Sequence, residues 1–305
     1  MKIQVKKDKI LCFGKLYYLY FNLIKSIRHL KLRFPIMKNV SSPEASVINQ
    51  PTKGYRKYHI KGVDHEIVAR KGGPTANQIK FEDNYAEVRK HQKEFGVASM
   101  MAKALRSSLS ECMSEICETY VSGRLTAKFR NLAKLEEGTT GTRPMVLSRH
   151  GHLLNGFEFN TRSPYKEIFG AKYFVKQGSV KGEVILHFPA FTPVKAFEAP
   201  EGTTNFKIVS RLVAISDFSY DSVEGSYKPS NEELHGAYGS FESPMLPLLK
   251  IPTEPMTGKV SLPNLKNVPA YMGLFLLMAV SFYKYENGNF QHLSKNSGMQ
   301  IHQVY

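Results

Sequence analysis

The sequence predicts an α+β protein: an N-terminal hairpin and helical segment followed by an antiparallel β-sandwich. Three observations predict it. Between Thr75 and Glu137 apolar residues recur at intervals of three and four, the helical period. From about Met145 the pattern changes to short β-branched and aromatic runs bounded by Gly or Pro. The most apolar run of the chain lies in VPAYMGLFLLMAVSFYKYENGNFQHL, and Asn287-Gly288 follows it, a strong hairpin-turn signal.

Residues 1–50 read as a basic leader set apart from the main body. Its first 36 residues hold nine Lys/Arg against one acid, Asp8. Lys15, Asn22 and Lys25 interrupt its apolar stretch, and no small-residue cleavage site follows, which argues against a signal peptide. The stretch is also too short for a membrane span. Leu16, Leu19, Leu23 and Ile27 share a helical face beside Lys15, Lys25 and Arg28, so peripheral membrane contact through residues 1–36 is one reading. Translation starting at Met37 is a second reading, and an ordinary packed segment is a third.

Residues 51–74 read as a β-hairpin, with apolar Tyr58, Ile60, Ile67 and Ala69 and a turn at Gly62-Val63-Asp64. Residues 75–145 read as the helical segment. Thr75 is a natural N-cap with Gln78 three residues on, the capping-box spacing. Asp83 is expected to cap the next segment, Tyr85, Val88 and Phe95 to share its inner face, and Gly96 to interrupt it. Met101, Leu105, Cys112, Ile116 and Tyr120 continue the helical spacing. Gly123 marks a break, after which Leu125, Phe129 and Leu132 face inward.

Residues 146–305 read as the sandwich. GEVILHF, TNFKIVSRLVAIS and KVSLPNL are its strands, and KQGSVKGEVIL is a hairpin turning between Gly178 and Gly182. The proline-punctuated FPAFTPVKAFEAPEGTTNF is expected to cross between sheets. The apolar run between Pro269 and Lys284 is short for a membrane span and alternates polar with apolar toward its end. It is read as a central strand, Leu274–Tyr285, covered on both faces at its start, with Phe290–Leu293 returning beside it.

The net charge of +16 divides evenly: the leader carries +8, and the remaining 269 residues carry +8. The second half is a mild excess, and mild excesses are mostly solvated surface. Cys112 and Cys117 are five apart, on different sides of a helix, and no CxxC occurs, which fits reduced thiols and a cytoplasmic location.

The blocks YHIKGVDHEIVARKGGPTANQI, EFGVASMMAKALRSSL, LLNGFEFN, FPAFTPVKAFEAPEGTTNFKI and LFLLMAVSFYKYENGNFQHL occur in that order. In order and spacing they resemble an uncharacterised protein family of Bacteroidota bacteria, from about residue 51 to the end. The resemblance implies a small hairpin, a helical segment and a β-rich C-terminal region. It brings no assigned activity and no catalytic residues. The leader has no counterpart there, which favours the Met37 start.

No convergent catalytic set is legible, so no catalytic residue, metal or cofactor is assigned. His150 and His152 offer two imidazoles where a zinc site needs three or four ligands. Asp64-His65-Glu66 sits at a hairpin tip. Arg70 and Lys71 precede Gly72-Gly73 and a helix N-terminus, where free N–H groups favour anions, but the P-loop order is missing. The segment 53–106 is rich in cations with Tyr55 and Tyr58 interleaved. Arg56, Lys57, Arg70, Lys71, Thr75, Arg89 and Lys90 are its candidate nucleic-acid or anion contacts. Glu66, Glu82, Asp83, Glu87 and Glu94 are scattered among them, the pattern of a mixed-charge surface. The preferred reading is a non-enzymatic binding or structural protein that presents loops to a protein or glycan partner. The alternative is nucleic-acid binding through 53–106.

Overall fold

The computed structural model describes residues 54–60, 63–70, 72–263 and 268–305. The readings of the 1–50 leader, of Gly62 and of Lys71 fall outside the described residues. Those described all belong to one compact unit, Lys53–Tyr305.

Strands β1 (Tyr55–Tyr58) and β2 (Ile67–Arg70) form the first hairpin. Helix α1 (Ala76–Phe81) follows, with the capping box in place: the Thr75 amide donates to Gln78 Oε1 at 2.8 Å, and the Gln78 amide donates to Thr75 Oγ1 at 3.2 Å. The long helix α2 spans Ala86–Ser107, and α3 (Glu111–Ile116) and α4 (Val121–Ala133) complete the helical layer.

Four sequence expectations fail here, the inner face of α2 among them. Gly96 and Gly123 both lie inside helices, and Asp83 makes no side-chain cap. Gly96 is exposed and costs about 1 kcal/mol against alanine. The buried row Val97, Ala98, Met101, Ala102 and Leu105 outweighs that cost. This row, and not Tyr85, Val88 and Phe95, is the inner face, because Ala98 and Ala102 are small enough to admit α4 closely. Val88 and Phe95 stay exposed. In α4, Leu125, Phe129 and Leu132 do face inward.

All the strand pairings are antiparallel, as the sequence predicts. A six-stranded sheet is built on β11 (Met272–Glu286), the strand read from the apolar run. On one side β11 pairs along its length with β5 (Asn205–Ser216). On the other it pairs with β13 (Gly298–Val304) and then β12 (Asn289–His292). Strands β8 (Tyr238–Glu242) and β9 (Leu246–Pro247) pair with β5. The β11–β12 turn is Asn287-Gly288 with φ of 52° and 82°, both in the left-handed region that a two-residue hairpin of this kind requires.

A second sheet contains β3 (Phe174–Gln177), β4 (Glu183–Phe188) and β10 (Met256–Ser261), with β4 central. The proline-rich stretch between β4 and β5 crosses from this sheet to the larger one and holds the short helix Pro193–Ala196. A separate hairpin pairs β6 (Phe218–Asp221) with β7 (Ser226–Pro229). Residues 146–170, expected to open the sandwich, form short helical turns at Leu147–His150, Gly151–Leu154 and Tyr165–Ile168. Single turns have no periodicity for the sequence to display.

Side chains alternate across the large sheet, so it carries two cores. Val209, Val213, Phe275, Leu277 and Ala279 pack against the helices, with Phe275 and Phe129 ring centroids 5.8 Å apart. Ile208, Leu212, Leu276, Met278 and Phe282 pack against Val184, Leu186, Phe188 and Val260 of the small sheet. Helices, large sheet and small sheet thus stack in three layers, and β11 is covered on both faces.

Candidate functional site

The cations of the basic segment are held in separate local contacts. Arg89 Nη1 donates to the carbonyls of Ile79 and Glu82, each at 2.8 Å, closing the C-terminal end of α1. Lys90 pairs with Glu87 at 2.7 Å, and Lys57 with Glu66 at 3.1 Å. The capping box occupies the Thr75 and Gln78 amides, two of the N–H groups on which an anion site at this helix end would draw. Arg56 and Arg70 stay on the hairpin. The register pairs Arg56 with Ala69 and Arg70 with Tyr55, which puts the two arginines on opposite faces. The structure therefore does not gather Arg56, Lys57, Arg70, Thr75, Arg89 and Lys90 into one basic track.

The histidine candidates also separate. His150 Nε2 lies 2.8 Å from Glu136 Oε1, and His152 Nδ1 lies 3.0 Å from the Arg149 carbonyl. The helical turn points the two rings apart, where extended backbone would have put them together. No group of three metal-binding side chains occurs among the described residues.

A constellation that sequence reasoning missed joins α3 to the end of β12. Glu115 Oε2 is 2.5 Å from His292 Nδ1, and His292 Nε2 is 3.5 Å from Ser297 Oγ. The order carboxylate, imidazole, hydroxyl resembles a nucleophilic relay. Its chemistry is blocked, because Ser297 is fully buried. Its oxygen accepts from the Phe282 amide at 3.0 Å and donates to the Leu293 carbonyl at 3.1 Å. The imidazole stacks on Tyr283 at 5.0 Å, and burial pushes that phenol up to about 12. The group fastens helix to sheet. Cys117 is equally inert: burial pushes its thiol up to about 12.

Glu94, a surface charge by its sequence surroundings, is buried. Its Oε1 accepts from the Gly141 amide and from Arg143 Nε, each at 3.0 Å, tying the loop before Met145 to α2. Nothing in its sequence neighbourhood marks it, since its partners lie 47 and 49 positions away.

The β1–β2 hairpin is an outward-facing element. All four residues of β1 are exposed, and among the described residues the two strands pair only with each other. Tyr55, Lys57, Val68 and Arg70 share one face, all exposed; Arg56 and Tyr58 share the other with Ile67 and Ala69. Tyr55 is 45%, Tyr58 41% and Val68 54% exposed. Two strands alone are marginal in water, and among the described residues nothing pairs with the outer backbone donors and acceptors of either strand.

No protein-family model, curated protein or solved structure matches this chain. No helix among the described residues is long and apolar enough to cross a membrane.

Proposed function

We propose that this chain is a non-catalytic binding protein that takes an extended, acidic strand of a protein partner onto its β1–β2 hairpin. The observation that carries the reading is the hairpin itself, which among the described residues is open at its edges and exposed on its apolar side chains. An added strand would satisfy the edge backbone groups and cover Tyr55 and Val68. Arg56 and Arg70 would favour carboxylates on it. The groups with catalytic capacity point the same way. His150 meets Glu136, Ser297 ties the end of the β12 region to the Phe282 amide of β11, and His292 joins the sheet to Glu115 of α3.

Affinity capture from native lysate, before and after nuclease, tests this with the full chain and a Tyr55→Ser/Val68→Ser variant. Proteins that persist through nuclease and are lost with the variant are expected, together with slowed amide exchange at residues 55–58 in the complex. Capture that is unchanged in the variant refutes the hairpin as the contact. Partners that vanish with nuclease favour the nucleic-acid reading instead.

A further inference from the structure

The small sheet has one face in the core and one in solvent. Its register places Phe174, His187 and Thr257 side by side in one outward row, and Lys176, Ile185 and Lys259 in the next. Lys172, just ahead of β3, continues the exposed alternation, so the outward stripe of this edge strand reads Lys172, Phe174, Lys176. Phe174 is 53% exposed, which leaves about half of an apolar ring in water. Its ring lies at 22° to that of His187, with centroids 6.3 Å apart. His187 Nδ1 sits 3.3 Å from Thr257 Oγ1, which orients the imidazole. Lys259 pairs with Glu183 at 2.7 Å yet remains 62% exposed.

The platform is rigid because its inner side is core. Tyr173 stacks on Phe169 at 5.6 Å and on Phe188 at 5.5 Å, and Val184 and Leu186 are buried between the sheets. Alternate residues of a strand stand about 6.8 Å apart. A cation, an aromatic ring and a cation at that interval can follow the phosphates of an extended polynucleotide while a base lies on the ring between them.

We propose that this face binds single-stranded nucleic acid, with bases stacked on Phe174 and His187 and phosphates held by Lys172, Lys176 and Lys259. Charge alone would also suit an acidic peptide, but two adjacent rings set between lysines on alternate strand positions match the base-and-phosphate repeat of a single strand. A duplex hides the base faces that the pair would take. The site is independent of the β1–β2 hairpin, so either assignment can fail without the other.

The test is fluorescence anisotropy of labelled 15-nucleotide oligo-dT and oligo-U with the full chain. Three phosphate contacts on a single strand give a log–log salt slope of about −2, so affinity is expected to fall about twentyfold between 50 and 200 mM salt. Phe174→Ala should weaken binding about tenfold, through the loss of one stacked base. Lys172→Gln/Lys176→Gln should flatten the salt slope. All these positions are on the surface, and unchanged circular dichroism and melting would exclude misfolding. No binding at 50 mM salt overturns the proposal. So does equal affinity for duplex DNA or heparin, since charge would then be the whole effect. Loss of binding on Arg56→Gln/Arg70→Gln, with none on Phe174→Ala, would move the contact to the hairpin and also overturn it.

Discussion

Strand β11 and the β1–β2 hairpin both carry aromatic and aliphatic side chains on antiparallel backbone, and the molecule treats those side chains oppositely. Met272 to Tyr283 of β11 is buried without interruption, between helices on one side and the small sheet on the other. Among the described residues the hairpin has paired backbone but no second layer, and Tyr55, Tyr58 and Val68 are exposed. Hydrogen bonding within a pair of strands does not distinguish the two, since both have it. The layers do. Each apolar side chain removed from water contributes about 1.5–3 kcal/mol, and β11 collects this on both faces. The hairpin leaves that contribution to be collected on binding.

The largest effect expected from this contrast is at Phe275. Its ring packs on Phe129 and sits beside Gly151 and Gly273, where an added Cβ would be crowded by Val304 and Leu147. The backbone is thus held tightly around it and has little room to relax. Phe275→Ala should destabilise the protein by about 3–5 kcal/mol in urea denaturation. A loss under about 1 kcal/mol would mean that the helical layer is not a well-packed cover for β11, and the comparison would lose its basis.

That much of the contrast is legible in the sequence, for a physical reason. A strand that ends in alternation and runs into Asn-Gly states its own boundary and its register, and the capping box at Thr75 and Gln78 does the same for α1. What the sequence hides depends on distant partners. The burial of Glu94 follows from Gly141 and Arg143, and the inner face of α2 from the approach of α4. Exposure is hidden in the same way. Nothing in YRKY or FVK says that Tyr55 and Phe174 will be left in water, because that depends on which layers are absent around them. The candidate surfaces are therefore less legible than the fold.

A smaller effect should appear on acidification. Burial lowers both His235 and His302 from the ordinary imidazole value of 6.5, and Lys166 adds to the lowering at His302. Each neutral ring holds a contact. His235 Nδ1 accepts from the Ser216 amide at 3.3 Å, and His302 Nδ1 lies 3.1 Å from the Tyr173 hydroxyl. The unfolded chain takes up protons on these rings first. Stability is therefore level above 6.5 and falls as pH drops below it. Glu158, raised by burial, acts with the opposite sign: it costs stability as pH rises through the carboxylate range. Urea midpoints between about pH 8 and pH 5 should decline, and His235→Asn/His302→Asn, which keeps an acceptor in each place, should flatten the decline. A flat profile in the unmodified protein would show that neither ring differs between the folded and unfolded states.

The smallest effect belongs to the hairpin, and it tests the comparison most directly. Tyr55→Ser/Val68→Ser removes apolar surface that is already about half in water and touches no layer of the core. Exposed substitutions of this kind lie within about 0.5 kcal/mol of neutral. Global stability by urea denaturation should stay inside that range, nearly an order of magnitude below the effect at Phe275. A larger loss would mean that the hairpin already packs on the body of the protein, and its apolar side chains would not be free for a partner strand. A neutral result makes the same double variant a clean probe of binding, since any partner it fails to capture is lost at the contact and not through unfolding.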